Sequence, residues 1–382
     1  MSGPAYDGGF RDAHDDRGHT AAAVDPDGLD AHIAGLPYGV MARETITRVP
    51  EAPVPPAPPA PPTPEGPQPY AEPEAEPLRG VPAHVGNRPP SYPPHPLGRP
   101  SVRDTEDALA AFSPVVLLDG AHIGRLTVRA ASVRGDSHNW EGSCRQDAMT
   151  VTRIGPPEAE MLLLAVADGV GSAVYSHVGS YELSRRAAVF LDREAESIHA
   201  AVCARDENEL RVLATKAVAG AAAELRAAWA QAAQHRPRPY ADQDYATTLH
   251  VLLIPTDPGI RDRVLCSVGD GGLFVLREGG WEHGDPDDGA GLLDTRTEAL
   301  PHAYRSVKAT LVRTMPGEVL LLGTDGITNP LTQKDPEFAR RLAEAWGGPE
   351  VPSLSDFLWQ AQTRAKSYDD DRTVICVWEE RA

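Results

Sequence analysis

Proline dominates the first hundred residues of the chain and limits what that part can fold into. These residues contain 23 of the 37 prolines, and positions 53–69 read PVPPAPPAPPTPEGPQP. Proline lacks a backbone N–H and restricts φ, so such a segment builds neither a helix nor a sheet and favours extended conformations. We therefore predict a Pro-rich, largely disordered region over residues 1–112 and a folded domain over residues 113–382.

The predicted folded domain alternates short apolar runs with turn residues. Met161–Ala167 is a continuous apolar run typical of a central strand, and Leu126–Val133 alternates as a half-buried strand does. Helical spacing predicts helices over Ser180–Leu191 and Glu207–Gln234. The same patterns predict strands over Met149–Ile154, Thr247–Ile254, Val264–Val268, Leu273–Arg277, Glu318–Gly323 and Thr373–Trp378, and helices over Glu337–Trp346 and Leu354–Lys366. This order indicates an α+β fold with antiparallel sheets layered against helices.

Charge and composition exclude several classes of function. The chain has 36 basic and 55 acidic side chains and a formal net charge of −19. Such a chain repels nucleic-acid phosphates and anionic lipids, so we expect no nucleic-acid or membrane partner. Without a membrane-spanning run, a secretory pattern or paired cysteine motifs, the sequence predicts a cytoplasmic protein with reduced thiols. Its richness in Ala, Arg, Pro and Gly is typical of bacterial proteins.

Aspartates stand at the ends of several predicted strands. They are Asp147, Asp168, Asp270, Asp325 and the triple Asp369–Asp371, and three of them precede glycine. A carboxylate at the mouth of a buried strand is costly to desolvate unless a cation compensates its charge. One Asp-Gly pair alone is more typical of a turn, so the prediction that they converge on one sheet edge depends on the whole set.

Carboxylate and carbonyl oxygens are the ligands that Mg²⁺ and Mn²⁺ prefer in proteins. A glycine after the ligand allows a sharp turn that brings its own carbonyl within reach of the metal. Two such ions about 4 Å apart share a carboxylate, activate the water between them and stabilise the charge that develops in displacement at phosphorus. The pattern therefore predicts a metal-dependent phosphoesterase.

Six motifs in this order resemble the metal-dependent serine/threonine protein phosphatases of type 2C, in their bacterial branch. They are GSCRQDA (142–148), VADGVGSA (166–173), ATTL (246–249), VGDGG (268–272), GTDGI (323–327) and DDDRTV (369–374). The resemblance implies a four-layer α-β-β-α sandwich of two antiparallel sheets flanked by helices, with a metal cleft at one end. It also implies hydrolysis of phosphoserine and phosphothreonine in proteins by a metal-activated water, without a phosphoenzyme.

The resemblance also assigns roles to individual residues. The implied metal ligands are Asp168, the Gly169 carbonyl, Asp270, Asp325 and Asp370, with Asp371 as the alternative to Asp370. Asp168 bridges two ions of Mn²⁺ or Mg²⁺, and Asp270 with Asp325 holds a third, weaker ion. Asp147 orients the attacking water, so the implied catalytic residues are Asp147, Asp168 and Asp325.

The sequence departs from that family's pattern just before Asp147. The acidic residue that often precedes this position is Gln146 here, which predicts weaker metal binding. Gly142 holds the place of the arginine that grips the substrate phosphate. Arg134, His138 and Arg145 are the candidates to replace it, and we assign phosphate binding to His138 and Arg145. The alternatives are a turn-capping role or protonation of the leaving alkoxide for His138 and a solvated charge for Arg145.

Two functions follow from these features. The first is a protein serine/threonine phosphatase in signalling that acts on phosphorylated proteins, the substrates of a Ser/Thr kinase. The second is a weakly active or inactive relative that binds partners or phosphorylated segments, which Gln146 and the missing arginine favour.

Two further segments carry expectations about partners and motion. PxxP spacing in the Pro-rich tail suits an aromatic groove on a partner, and the apolar stretch Ile33–Val49 is either a docking peptide or a solvated tail. The loop His283–Ala303 is either a flap over the cleft, as the resemblance implies, or a solvated surface loop.

Overall fold

The computed structural model describes residues 82–94, 98–103, 108–233, 239–284 and 298–380. The proline tract 53–69, the apolar stretch 33–49 and most of the loop 283–303 lie outside these residues. The boundary between residues 112 and 113 stays a prediction. No helix among the described residues combines the length and the hydropathy that a membrane span requires.

The described residues form short strands and helices of very different lengths. The strands are β1 His84–Val85, β2 Val116–Ile123, β3 Leu126–Val133, β4 Ala148–Ile154, β5 Met161–Ala167, β6 Leu249–Pro255, β7 Asp262–Val268, β8 Gly272–Arg277, β9 Gly280–His283, β10 Lys308–Arg313, β11 Val319–Gly323, β12 Arg364–Ala365 and β13 Arg372–Glu379. The helices are α1 Ala108–Phe112, α2 Asp136–Glu141, α3 Ser176–Arg193, α4 Ala195–Ala204, α5 Glu207–Ala233, α6 Asp325–Leu331, α7 Glu337–Trp346 and α8 Leu354–Ala361.

Two antiparallel sheets form the centre of the domain. One has five strands in the order β10-β7-β6-β5-β4, and the other has six in the order β2-β3-β13-β11-β8-β9. The short strands β1 and β12 pair in parallel beside them. The predicted α+β class and its antiparallel sheets are confirmed.

Strand β5 shows why a fully apolar run occurs in this fold. Its even-numbered residues from Leu162 to Val166 pack between the two sheets. Its odd-numbered residues from Met161 to Ala167 pack under α3, α4 and α5. Because helices cover the outer face of this sheet, neither face of β5 meets water, and all seven of its residues are buried.

The other sheet is covered in the same way on its outer face. Residues of β8, β11 and β13 pack there against α6, α7 and α8, around Trp346 and Phe357. Helices, sheet, sheet and helices therefore form four layers, which confirms the α-β-β-α sandwich that the resemblance implied.

The predicted elements differ from the structure mainly where a segment is short. The helix predicted over Leu354–Lys366 ends at Ala361 instead, because Arg364–Ala365 form β12 and pair with β1. Asp325 begins the helix α6, although an Asp-Gly pair by itself is more typical of a turn. The elements that were not predicted are the strands β1, β2, β9, β10 and β12 and the helices α1, α2, α4 and α6.

Residues 82–94 and 98–103 pack along the domain. Val85 is buried in the core under α7 and α8, and Arg364 N donates to Ala83 O at 2.8 Å. Further along, Gly98 N donates to Asn139 O at 2.8 Å. This segment therefore contacts α2, which lies beside the predicted metal ligands.

Candidate active site

The five-stranded sheet brings two of the predicted aspartates together. Ala148 at the start of β4 pairs with Ala167 at the end of β5. Asp147 precedes the first of these residues and Asp168 follows the second, so the antiparallel register places the two carboxylates side by side. Burial, followed by the charge of Asp147, raises the pKa of Asp168.

The six-stranded sheet brings two more aspartates to the same end of the sandwich. Gly323 at the end of β11 pairs with Val374 near the start of β13. This register places Asp325, the first residue of α6, near Asp370. Burial first, and then the charge of Asp370, raise the pKa of Asp325.

The two sheets meet at this end through their carboxylates. The Asp168 side chain donates a hydrogen bond to Asp325, although 156 residues separate the two along the chain. Thr324 Oγ1 donates to Asp147 Oδ2 at 2.8 Å and accepts from Thr373 N at 3.1 Å. The convergence predicted from strand ends is therefore present in the structure for Asp147, Asp168, Asp325 and Asp370.

Thr324 is a site residue that the sequence reasoning missed. It is fully buried, and its hydroxyl joins β11, β13 and the Asp147 carboxylate. Its position between a buried strand and Asp325 was the available indication, because a hydroxyl there can bond to a neighbouring strand end. Thr247 and Thr248 act similarly, bonding the Asp168 carbonyl and amide at 2.7 and 3.0 Å.

Burial and mutual repulsion raise the pKa of several of these carboxyls. Burial, followed by the charge of Asp371, raises the pKa of Asp147 to about 8. Burial, followed by the charges of Asp147 and Asp325, raises the pKa of Asp168 well above its usual range. The pKa values of Asp325 and Asp370 are raised by burial first and by neighbouring charges second. The site therefore concentrates negative charge in a partly dehydrated place.

These residues fit one or more hard divalent cations. Asp147 Oδ1 and Asp325 Oδ1 are buried and have no hydrogen-bond partner within the part of the chain that the structure describes. Gly169 and Thr247 lie opposite each other in an isolated antiparallel β-bridge. The hydrogen bonds of this bridge involve the Asp168 carbonyl and the Val170 amide, so the Gly169 carbonyl points away from the segment that contains Thr247. Oxygen donors that lack protein partners are what Mg²⁺ and Mn²⁺ bind.

Asp370 and Asp371 have different environments. The Asp370 side chain is 57% exposed, whereas that of Asp371 is 2% exposed. Asp371 accepts hydrogen bonds from Gly135 N, Gln146 N, Asp147 N and the His138 ring. Because its lone pairs are used by the protein, Asp371 is the poorer metal ligand of the two, and the geometry favours the predicted choice of Asp370.

Asp270 lies on the rim of the site. It is exposed on the turn between β7 and β8, and its carbonyl is hydrogen-bonded to His250 Nε2 at 2.6 Å. Its charge raises the pKa of Asp325, which places the two carboxylates close enough to interact. The role of Asp270 in a third metal site stays a prediction.

Arg145 does not reach the cleft. The residue is 6% exposed, and its guanidinium donates to the Ser132 hydroxyl at 2.7 Å and to the backbone carbonyls of Pro114 and Asp147. Burial lowers the pKa of this guanidinium, although the charge of Asp147 opposes that effect. Arg145 is therefore neither a solvated charge nor a free phosphate donor, and its placement gives the predicted phosphate role no support.

His138 lies at the cleft, on the helix α2. Its Nδ1 is 2.9 Å from Asp371 Oδ1 and its Nε2 is 3.9 Å from Asp370 Oδ1. Burial lowers its pKa, but the hydrogen bond and charge of Asp371 and the charges of Asp370 and Asp147 outweigh burial and raise it to about 9. The predicted phosphate role of His138 stays a prediction.

The backbones of α6 and the segment before β13 approach too closely for a side chain on Gly326. A Cβ there would lie 1.9 Å from the Asp371 carbonyl oxygen. We expect Gly326→Ala to lower the free energy of unfolding by about 3 kcal/mol, because the two backbones must separate. Urea denaturation measures this, with Gly348→Ala as the control, since nothing lies within 4 Å of that added methyl. Equal stability of the two variants would contradict this close approach.

Raised carboxyl pKa values make the metal-free protein less stable as pH rises. The folded Asp147 pKa of about 8 lies above its unfolded value of 3.8. Its contribution is therefore fully present below about pH 4 and is lost as pH rises through 8, with a slope of up to about 1.4 kcal/mol per pH unit. Urea denaturation in a chelator between pH 5 and pH 8 measures it. Asp147→Asn should reduce the slope, and an unchanged slope in that variant would contradict the assignment.

Comparisons with known proteins agree with this geometry. A sequence model of the family described as protein phosphatase 2C matches residues 134–359, more than half of the 382-residue chain. No curated protein matches the chain.

Three solved structures illustrate the similarity. A bacterial serine phosphatase is 19% identical with a TM-score of 0.45, and the match covers 68% of this chain and 99% of that one. The Mycobacterium tuberculosis serine/threonine phosphatase PstP is 19% identical, with a TM-score of 0.42 and coverage of 69% and 100%. The S. agalactiae serine/threonine phosphatase is 16% identical, with a TM-score of 0.41 and coverage of 67% and 100%.

Proposed function

Because the chain belongs to the protein phosphatase 2C family, we propose that it is a metal-dependent phosphatase that hydrolyses phosphoserine and phosphothreonine in proteins. The observation that carries this proposal is the cluster of carboxyls from both sheets. Asp168 and Asp325 are hydrogen-bonded to each other, and Asp147 and Asp370 lie close enough to raise their pKa values. Such a cluster is unfavourable for the fold alone, since like charges are held together in a partly buried place.

The residues that would hold the cations are Asp168, Asp325, Asp370 and the carbonyl of Gly169. Two divalent ions bound there would act as Lewis acids, activating water and neutralising the phosphate oxygens. The identity of the metal as Mn²⁺ or Mg²⁺, and the third ion at Asp270, belong to the proposal.

The protein's own groups keep the site ordered. Asp147 is buried and fixed through one carboxylate oxygen by Thr324, and its other oxygen has no hydrogen-bond partner among the residues that the structure describes, so it is free to accept from a water that enters the site. The threonines after α5 hold the backbone of Asp168. These fixed oxygens need little rearrangement when the phosphate enters.

Phosphorylated proteins are the substrate class that we propose, and the cytoplasm, a bacterial cell and opposition to a Ser/Thr kinase are the proposed setting. The test uses peptides that carry phosphoserine, phosphothreonine or phosphotyrosine, with Mn²⁺ added and released phosphate measured. We expect turnover of the first two peptides. Tight binding of these peptides without turnover in Mn²⁺ would replace the proposal with the phosphatase-like binding module.

A further inference from the structure

The histidine on α2 has the environment of a metal ligand. His138 Nδ1 lies 2.9 Å from Asp371 Oδ1. An ionised carboxylate can only accept, so the imidazole carries a proton on Nδ1 toward Asp371, and once a cation displaces the second ring proton the lone pair lies on Nε2. Histidines that bind metals usually have this arrangement, in which a carboxylate accepts from the other ring nitrogen and fixes the tautomer.

The lone pair on Nε2 faces a predicted metal ligand. His138 Nε2 is 3.9 Å from Asp370 Oδ1, which is too long for a hydrogen bond. One ion with metal–ligand bonds of about 2.1 Å spans two donor atoms up to roughly 4.2 Å apart. The two atoms are therefore placed to share a cation without a change in backbone conformation.

Asp371 holds this histidine in place. Its buried carboxylate accepts from the backbone N–H groups of Gly135, Gln146 and Asp147 as well as from His138. Ser137, one residue before the histidine, also bonds the Asp369 carbonyl through its amide and its hydroxyl, at 3.0 and 2.8 Å. Asp371 thus fixes the ring at Nδ1, and the bonds of Ser137 fix the neighbouring backbone, as a preorganised ligand requires.

We propose that His138 Nε2 is a nitrogen ligand of the metal bound by Asp370, and that Asp371 is the residue that positions it. This inference rests on the proposed function, because it concerns the same metal cluster. It gives the site a mixed nitrogen and oxygen ligand set.

A nitrogen ligand changes which metal the site prefers. Imidazole suits transition metals, whereas Mg²⁺ takes oxygen ligands almost exclusively. The site should therefore favour Mn²⁺ over Mg²⁺ more strongly than the carboxylates alone would, and His138→Gln should reduce that preference because the amide offers an oxygen of similar reach.

Pulsed electron paramagnetic resonance of the Mn²⁺-loaded full chain tests the ligand directly. We expect a ¹⁴N coupling from a directly bound imidazole in the wild type and none in His138→Gln. Calorimetry should show Mn²⁺ affinity falling at least tenfold in His138→Gln and 10- to 100-fold in Asp371→Asn, with a smaller fall for Mg²⁺. His122→Gln, which changes an exposed histidine on β2, should match the wild type in both measurements.

The outcomes separate this inference from the proposed function. Mn²⁺ binding and phosphatase activity without ¹⁴N coupling would overturn the histidine ligand alone. A His138→Gln variant with unchanged Mn²⁺ affinity and a raised KM would overturn it as well, by assigning His138 to the substrate phosphate. Failure of the wild type to bind Mn²⁺ at all would overturn both.

Discussion

Asp168→Asn is expected to lower kcat for phosphoserine peptides by at least three orders of magnitude, which corresponds to ~4 kcal/mol of transition-state stabilisation. Asparagine has nearly the same size, but it lacks the charge and the second carboxylate oxygen needed to bridge two cations. Asp168 follows β5 of the five-stranded sheet and is hydrogen-bonded to Asp325, which follows β11 of the six-stranded sheet. Its replacement therefore affects the metal ligands that both sheets supply. Initial rates in saturating Mn²⁺ measure the change.

Loss of folding would not account for this result. The raised pKa of Asp168 means that its ionised form destabilises the metal-free fold, so the asparagine variant should be at least as stable in a chelator. Asp257→Asn is the matched control, since it removes an exposed carboxylate on the β6–β7 turn and keeps the oxygen that accepts from Gly259 N. Activity of Asp168→Asn within tenfold of that control would refute the bridging role.

Removal of divalent cations should reduce phosphatase activity to the background rate, and Mn²⁺ should restore it. Burial, followed by the charges of neighbouring carboxylates, raises the pKa values of Asp147 and Asp168, and a bound cation would make their charged forms favourable. Added Mn²⁺ should also stabilise the fold, by about 2.7 kcal/mol at a concentration one hundred times its Kd.

The experiment has two readouts, activity and stability, and Asp168→Asn is the control variant for both. Phosphate release is followed before and after dialysis against a chelator, and urea denaturation is followed in the same samples. Asp168→Asn should show neither the restored activity nor the full stabilisation. Full activity in excess chelator would contradict metal-dependent hydrolysis, whatever the effect on stability.

The placement of Asp168 and Asp325 was predictable because the ends of buried strands can be recognised in the sequence. The apolar runs before Asp168 and Asp325 mark buried strands, and antiparallel pairing returns such ends to a common edge. The spacing within the acidic triple also indicated Asp370, which the structure shows to be the exposed carboxylate of the pair. At these positions the local sequence pattern and the observed strand pairing place the aspartates at the same end of the sandwich.

The surroundings of the metal ligands were not predictable from local pattern. The six-residue helix α2 has no side-chain N-cap and is too short to show a helical periodicity, yet it places His138 against Asp371. Arg145 was predicted to bind phosphate, with a solvated charge as the alternative, but its partners come from β3 and from the segment before β2. Such contacts depend on tertiary pairing, which a single sequence does not specify.

Anomalous diffraction from crystals grown with Mn²⁺ tests the central claim most directly, because it locates the ions without reference to activity. We expect two manganese peaks at this end of the sandwich, both contacting Asp168, with Asp325 and Asp370 as ligands of one of them. The claim would be contradicted if the protein hydrolyses phosphoserine but its crystals show no manganese between Asp168 and Asp325.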